Sequence, residues 1–402
     1  MKKLRTNLML GGVLLCLMAI AGLTSCNHDL SDHFGVSDNP STGVTDEPTP
    51  TMKATPLTLE AAEDGAIVKF KANDDDVAKD IEWSLDGTTW TAANTGGSGV
   101  SIILVNAGDK VMFRGTNAAY GDYANCNSIT CDKDCYIYGN IMSLIKAEGF
   151  ENETTLTGNN NFKRLFDSNT HIKNHTDATK YYLVLPATTL ASSCYDTMFK
   201  DCVGLTAAPA LPAPTLTGQC YQKMFYGCSG LTTTPVLNVD CGGKGDCMAY
   251  MFQGCSKLTT VADGSQISGL GASCCRSMFE SCVKLASVPS DLLPATTLAG
   301  NCYQYMFYGC VKLEKAPKLP APTTNLTTCC YDNMFSGCTI LNEAWVKADY
   351  ENGSYQCDHM FYGCTDANDA SSKFYTDGDW DTWKGAFTNI NAWTKDSYTP
   401  AP

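Results

Sequence analysis

Cys194-Tyr195-Asp196-Thr197-Met198-Phe199-Lys200-Asp201-Cys202 is the stretch from which the rest of the chain can be read, because its pattern returns six more times. The Met-Phe pair recurs at Met224-Phe225, Met251-Phe252, Met278-Phe279, Met306-Phe307, Met334-Phe335 and Met360-Phe361, at spacings of 26, 27, 27, 28, 28 and 26 residues. Four residues after each Met stands a cysteine: Cys202, Cys228, Cys255, Cys282, Cys310, Cys338 and Cys364. Four residues before it stands another in six repeats, at Cys194, Cys220, Cys247, Cys274, Cys302 and Cys330; the last repeat has Cys357 instead. Leu follows seven residues after Met in six repeats, from Leu205 to Leu341. Links such as Leu211-Pro212-Ala213 and Leu319-Pro320-Ala321 join the units.

A unit of about 27 residues cannot bury its Met, Phe, Leu and cysteines alone, whereas stacking gives all units one continuous interior. The Cys-x-x-x-Met-Phe-x-x-Cys stretch suits a short helical turn, with Met and the upstream cysteine on one face. Residues 205–211 and their equivalents suit a short strand, kept brief by proline. With stacked strands about 4.8 Å apart, seven units make a solenoid on the order of 30 Å long. Both ends read as caps. Phe162 to Phe166 form a degenerate unit upstream, and Trp380, Trp383, Phe387 and Trp393 stand ready to cover the other end.

Toward the N-terminus, residues 57–135 read as β. Ala66-Ile67-Val68-Lys69-Phe70 and Ile81-Glu82-Trp83-Ser84-Leu85 alternate, and Asp86-Gly87 suggests a two-residue hairpin into Thr88-Thr89-Trp90. Val100 to Val105 and Lys110 to Phe113 add strands, in the manner of an immunoglobulin-like sandwich. Before them, Lys2, Lys3 and Arg5, an apolar run from Leu8 to Leu23, and Leu23-Thr24-Ser25-Cys26 read as a lipoprotein signal with Cys26 as the acylated residue. The expected organisation is a signal segment (1–25), a lipid-anchored linker (26–56), a β-sandwich module (57–135), a junction and N-terminal cap repeat (136–189), seven repeats (190–367) and a C-terminal cap (368–402). The formal charge of −14 becomes −17 once the three positive charges of the signal leave. That surface repels phosphate backbones and argues against nucleic acid.

Cys16 leaves with the signal and Cys26 carries lipid, so 20 of the 22 cysteines remain. An even number in an exported chain suggests disulfides. Pairing within a repeat is the favoured reading, since the two columns come and go together. Pairing between neighbouring repeats, or small buried core thiols, are the other readings. Disulfides are also favoured over a metal for Cys126, Cys131 and Cys135. The spacings match no zinc motif, so no metal and no cofactor is expected. Tyrosines flank the core at Tyr195, Tyr221, Tyr303 and Tyr331, and again at Tyr226, Tyr308 and Tyr362. They are candidate ligand-binding residues, because tyrosine is apolar with a polar tip; shielding of repeat edges is the structural alternative.

Catalytic signals are weak. His171 and His175 lack the intervening Glu of a metalloprotease and read as exposed residues of the cap; Asp74-Asp75-Asp76 reads as an acidic turn, and the glycine-rich Cys241 to Cys247 as an insertion loop. No enzyme is expected.

The Met-Phe cores, the Tyr226-Gly227-Cys228 and Ser336-Gly337-Cys338 endings and the Leu-Pro-Ala links resemble BspA-like leucine-rich repeats of surface lipoproteins from gut anaerobes, over roughly residues 160–365. Those repeats typically carry Ala-Phe in place of Met-Phe, and Ile in place of the upstream cysteine. Trp83 to Trp90 with Ala107-Gly108-Asp109-Lys110-Val111 looks like the sandwich modules that precede such repeats, and Tyr138 to Ile145 like the junction. The resemblance implies an outer-membrane lipoprotein at the cell surface that adheres to a host or bacterial protein or glycan. A purely structural surface protein, or a glycan-capture component with Trp380, Trp383 and Trp393 as a stacking platform, are the alternatives.

Overall fold

Strict alternation in Ala66-Ile67-Val68-Lys69-Phe70 sends Ala66, Val68 and Phe70 inward, and the strand they build organises one of two N-terminal sheets. The computed structural model describes residues 51–72, 78–122, 125–350, 355–364, 372–387, 390–391 and 393–396. The strands of its first part are β1 (Leu57–Ala61), β2 (Ala66–Ala72), β3 (Asp80–Ser84), β4 (Thr91–Asn94), β5 (Val100–Leu104), β6 (Lys110–Gly115), β7 (Asn127–Cys131) and β8 (Cys135–Asn140). β5-β2-β7 form one antiparallel sheet, and β8-β1-β6-β3-β4 are antiparallel neighbours in the other. Phe70 of the first meets Phe113 of the second edge-on, with ring centroids 5.5 Å apart.

Two expectations are corrected here. Asp86-Gly87 is not a two-residue hairpin: β4 starts at Thr91, and residues 85–90 loop around the Asp86 carboxylate. That carboxylate accepts from the backbone N–H groups of Thr88 and Thr89, both at 2.7 Å, and these bonds hold it well below the usual carboxylate range. The boundary at 135 also falls where a strand begins. β8 runs on to Asn140 and pairs in parallel with β9 (Ile172–Lys173) and β10 (Leu183–Val184), so the second sheet continues into the segment that precedes the repeats.

The repeats follow as layers. On one side short parallel strands pair: β11 (Asn238–Asp240) with β12 (Gln266–Ser268), and β13 (Lys315–Leu319), β14 (Glu343–Val346), β15 (Lys373–Tyr375) and β16 (Thr394–Asp396) in series. On the other side runs the Cys-x-x-x-Met-Phe-x-x-Cys stretch, and it is not a helical turn. Every fourth residue is left-handed: Ser193, Thr197 and Asp201 have φ of 55°, 54° and 58°, and the same three places recur in every repeat. Alternate N–H groups then have different destinations. Those of Asp196, Met198, Lys200 and Cys202 bond three residues back, to Ser193, Tyr195, Thr197 and Phe199. Those of Tyr195, Thr197, Phe199 and Asp201 cross to Cys220, Gln222, Met224 and Tyr226 of the next layer, at 2.7–3.0 Å. Half the backbone donors thus close the coil and half weld it to its neighbour. Left-handed non-glycine residues cost about 1–2 kcal/mol each, and it is the interlayer bonds that hold them. The third left-handed place is glycine in five repeats, at Gly227, Gly254, Gly309, Gly337 and Gly363.

A four-residue period sends Cys194-Tyr195, Met198-Phe199 and Cys202 to one side, where all are buried. Phe166, Phe199, Phe225, Phe252, Phe279, Phe307, Phe335 and Phe361 form an unbroken column of near-parallel rings, 5.4–5.7 Å apart between centroids. Phe361 has no parallel successor. Phe374, Phe387 and Trp393 meet it edge-on at 5.6–6.0 Å, together with Trp383 from the helix α1 (Trp380–Ala386). One apolar core runs from Leu57 to Trp393. The described part of the chain is therefore β-rich with few short helices, as its sequence suggests.

Candidate binding face and thiol cluster

The layers separate the seven candidate tyrosines into two kinds. Tyr195, Tyr221, Tyr303 and Tyr331 are 1 % exposed and belong to the core, which rules them out as ligand contacts in the folded chain. They follow the upstream cysteine immediately, and the four-residue period turns both residues inward. Burial pushes the phenols of Tyr195, Tyr221 and Tyr303 well above their ordinary range. Tyr195 stacks on Phe162 at 5.7 Å and on Tyr221 at 5.9 Å, and Tyr303 on Tyr331 at 6.1 Å.

Tyr226, Tyr308 and Tyr362 lie on the outside. Tyr226 is half-buried, Tyr308 is 39 % exposed and Tyr362 66 %. The left-handed place just before Met adds a parallel column on the same face, holding Lys223, Tyr250, Tyr305 and His359. The two columns touch: Tyr305 meets Tyr308 at 5.7 Å and His359 meets Tyr362 at 5.9 Å. Cations sit over the rings, with Lys200 Nζ 5.9 Å from the Tyr226 centroid, and Lys223 Nζ and Arg276 Cζ 5.2 and 6.0 Å from that of Tyr250. Asp201 pairs with Lys200 at 2.7 Å, and the carboxylates of Asp332 and Glu280 lie near enough to Tyr305 to act on its phenol. The result is a ridge of rings studded with both signs of charge. Sequence reasoning missed Tyr250 and Tyr305, which occur in only two repeats. On the strand side, a groove of about 620 Å³ is lined by Ala208, Leu211, Pro212, Thr233, Pro235 and Val236 among others.

No disulfide joins the described cysteines in this structure. All twenty cysteines from Cys126 to Cys364 are unbridged, and Cys329 alone is not fully buried. Downstream-column thiols form a ladder instead. Cys228, Cys255, Cys282, Cys310, Cys338 and Cys364 donate to the carbonyls of Phe199, Phe225, Phe252, Phe279, Phe307 and Phe335 in the preceding layer, at 2.9–3.2 Å; Cys202 does so to Phe166 at 3.0 Å. Upstream-column thiols are a separate file, in which Cys194 approaches the Cys220 carbonyl at 4.0 Å and Cys330 that of Gln356 at 3.8 Å. Cys247 departs from it, donating to the Lys244 carbonyl at 3.0 Å. The columns Cys194–Cys330 and Cys202–Cys338, with Cys357 and Cys364, thus run side by side along the stack, and each thiol's neighbour is in the next layer rather than its own. Burial pushes the thiols up, Cys228 and Cys364 to about 12. Cys131 and Cys135 face each other across the β7–β8 turn, also as thiols.

One group of cysteines departs from this order. The sulfurs of Cys241, Cys274 and Cys275 all lie within 4.8 Å of one another, fully buried, although their spacing in sequence gives no metal motif. Two column substitutions create the group. Leu190, Leu216, Leu270, Leu298 and Leu326 stand four residues before the upstream cysteine, and in the third repeat Cys241 takes that place, with a longer loop following. The tyrosine column is interrupted in the same layers, by Met248 and then by Cys275. Cys241 is fixed by its N–H bond to the Ser268 carbonyl, 2.9 Å, and Cys275 by its bond to that of Cys302, 3.0 Å. Cys247 lies beside them, its thiol 3.7 Å from the Cys241 carbonyl. The Cys274 and Cys275 sulfurs approach within 3.7 Å of each other.

The remaining sequence candidates resolve as follows. Trp383 and Trp393 are buried in the C-terminal cap and Trp380 half-buried, so they cannot form a stacking platform for a sugar. His175 is not an exposed cap residue. It lies among Tyr136, Tyr138 and Tyr181, centroids 4.4–6.0 Å away, with Nε2 3.7 Å from Glu60. His171 is paired with Asp134 at 3.2 Å. Cys26 and Asp74-Asp75-Asp76 lie outside the described residues. Among the described residues no helix is long and apolar enough to cross a membrane. No protein-family model matches the chain, and comparison with curated proteins and with solved structures gives no match.

Proposed function

We propose that this chain is an exported, lipid-anchored surface protein that binds a protein partner through the outer tyrosine ridge of a leucine-rich-type solenoid. In this reading residues 57–140 are an immunoglobulin-like sandwich, which with the linker holds the solenoid away from an outer membrane in which acylated Cys26 is anchored. The observation that carries the binding role is the contrast between equivalent tyrosines. Those next to the upstream cysteine are needed inside, whereas Tyr308 and Tyr362 lie outside the core and present large rings to water. Tyrosine and arginine are enriched at protein interfaces, and charges of both signs between the rings suit a protein better than a neutral sugar.

The test is capture of extracellular-matrix and bacterial surface proteins by the purified full chain, compared with a Tyr308→Ala/Tyr362→Ala variant. Binding of one partner, weakened about tenfold or more in the variant at unchanged melting temperature, supports the ridge. Binding that the variant retains moves the site to the strand-side groove. Binding of a glycan alone overturns the choice of partner, and binding of neither leaves a structural surface protein.

A further inference from the structure

We infer that Cys241, Cys274 and Cys275, with Cys247 beside them, form a buried thiolate site for a soft divalent or monovalent d10 cation, zinc in the first instance, that fastens the third repeat to the fourth. The geometry is that of a metal site rather than of the thiol ladder. The Cys274 and Cys275 sulfurs are 3.7 Å apart. Tetrahedral zinc with Zn–S bonds of about 2.3 Å requires sulfurs separated by about 3.8 Å. All three sulfurs lie within 4.8 Å of one another, close enough for one ion to reach each after small side-chain rotations. Three thiols cannot all be satisfied by one disulfide, and two of them are on adjacent residues. The upstream thiols Cys194 and Cys330 approach main-chain carbonyls of the next layer, at 4.0 and 3.8 Å; the Cys274 and Cys275 sulfurs approach each other instead. Cys247 supplies the fourth ligand by turning its thiol from the Lys244 carbonyl, 3.0 Å away, toward Cys241.

The substitution pattern is a second and independent observation. Cys241 stands where the neighbouring repeats carry leucine, and Cys275, like Cys357 of the last repeat, stands in the tyrosine column; Cys241 and Cys275 occur in successive layers, and their sulfurs come together. Ordinary packing would be served by Leu and Tyr there, as in the neighbouring repeats. The ligands come from two layers, Cys241 and Cys247 from one and Cys274 and Cys275 from the next, so an ion here crosslinks the stack at its middle. A closed set of four thiolates is structural, and its affinity adds to folding stability.

The inference is tested on the full chain, reduced and freed of metal under anaerobic conditions, then titrated with cobalt(II) as a spectroscopic stand-in for zinc. One cobalt per chain is expected, with an intense sulfur-to-cobalt charge-transfer band that zinc abolishes, and a melting temperature that rises with zinc. Cys241→Ser and Cys275→Ser should each lose the band, while Cys310→Ser in the ladder keeps it. If the two site variants fail to fold, X-ray absorption of the zinc-loaded wild type decides, an all-sulfur shell being expected. Absence of stoichiometric cobalt binding, an oxygen or nitrogen shell, or a Cys241–Cys247 or Cys241–Cys274 disulfide in protein isolated from cells each overturns it.

Discussion

The thiol of Cys282 donates to the carbonyl of Phe252, 3.1 Å away and 30 residues earlier in the chain. The bond ties side chain to main chain across a layer, and it is repeated along the stack. It also requires each sulfur to keep its proton. In an unfolded chain a thiol ionises near pH 8.5, whereas burial holds Cys228 and Cys364 protonated up to about 12. As pH rises, the unfolded state therefore loses protons first. Under reducing conditions stability should be level below about pH 8, then fall toward pH 12 by up to roughly 1.4 kcal/mol per pH unit for each such thiol. Urea denaturation at a series of pH values measures this; a midpoint unchanged to pH 11 would exclude the buried ladder.

The phenylalanine column makes Phe279 a keystone, with Phe252 at 5.6 Å on one side and Phe307 at 5.5 Å on the other. Phe279→Ala should cost about 3–5 kcal/mol, the usual range for a fully buried ring. Calorimetry checks the size of the effect. A loss below 1 kcal/mol would mean the rings are not in closed register.

Gly309 and Gly271 are required for different reasons. Gly309 has φ of 69°, and a Cβ there would find the nearest heavy atom, Ser281 Oγ, at 3.9 Å. Gly309→Ala should therefore cost only the conformational strain, about 1–2 kcal/mol. At Gly271 a Cβ would overlap the Lys244 carbonyl of the adjacent layer. Gly271→Ala should be several-fold more harmful, and equal melting temperatures for the two variants would contradict the layer spacing.

The two tyrosine classes make opposite expectations. Tyr303→Ala should destabilise by about 3–5 kcal/mol, as the loss of a buried aromatic does. Tyr308→Ala should stay within about 0.5 kcal/mol of wild type, as exposed substitutions do. Parallel denaturation curves settle it, and an equal loss from both would remove the distinction on which the binding ridge rests.

The repeat, its length and the β-rich character of the N-terminal module were legible in the sequence because Met-Phe and the alternation in β2 are strongly periodic. The conformation of the Cys-to-Cys stretch was not. Over nine residues a period of four is indistinguishable from a helix's 3.6, and the left-handed places hold residues as unlike as Thr197, Lys223, Tyr250 and His359. Only the glycines at the third such place hinted at it. That period also decides which tyrosines are inside, so Tyr195 and Tyr308 could not be told apart beforehand. The even cysteine number is ambiguous for a different reason: a thiol in these layers finds a carbonyl acceptor, and nothing local in sequence distinguishes it from a half-cystine. Cys241 could have been singled out, since it is a cysteine in the leucine column, and Cys275 with it, since it stands in the tyrosine column of the following repeat.

The edge-on rings over Phe361 have a consequence for how molecules of this kind coexist at high density. A stack that grows by placing each flat ring on the last is open to any further copy offering the same face, and such head-to-tail addition has no natural stopping point. Phe374, Phe387 and Trp393 turn their edges where a ninth parallel ring would have to lie. At this end of the stack, therefore, a further copy finds no flat ring on which to add.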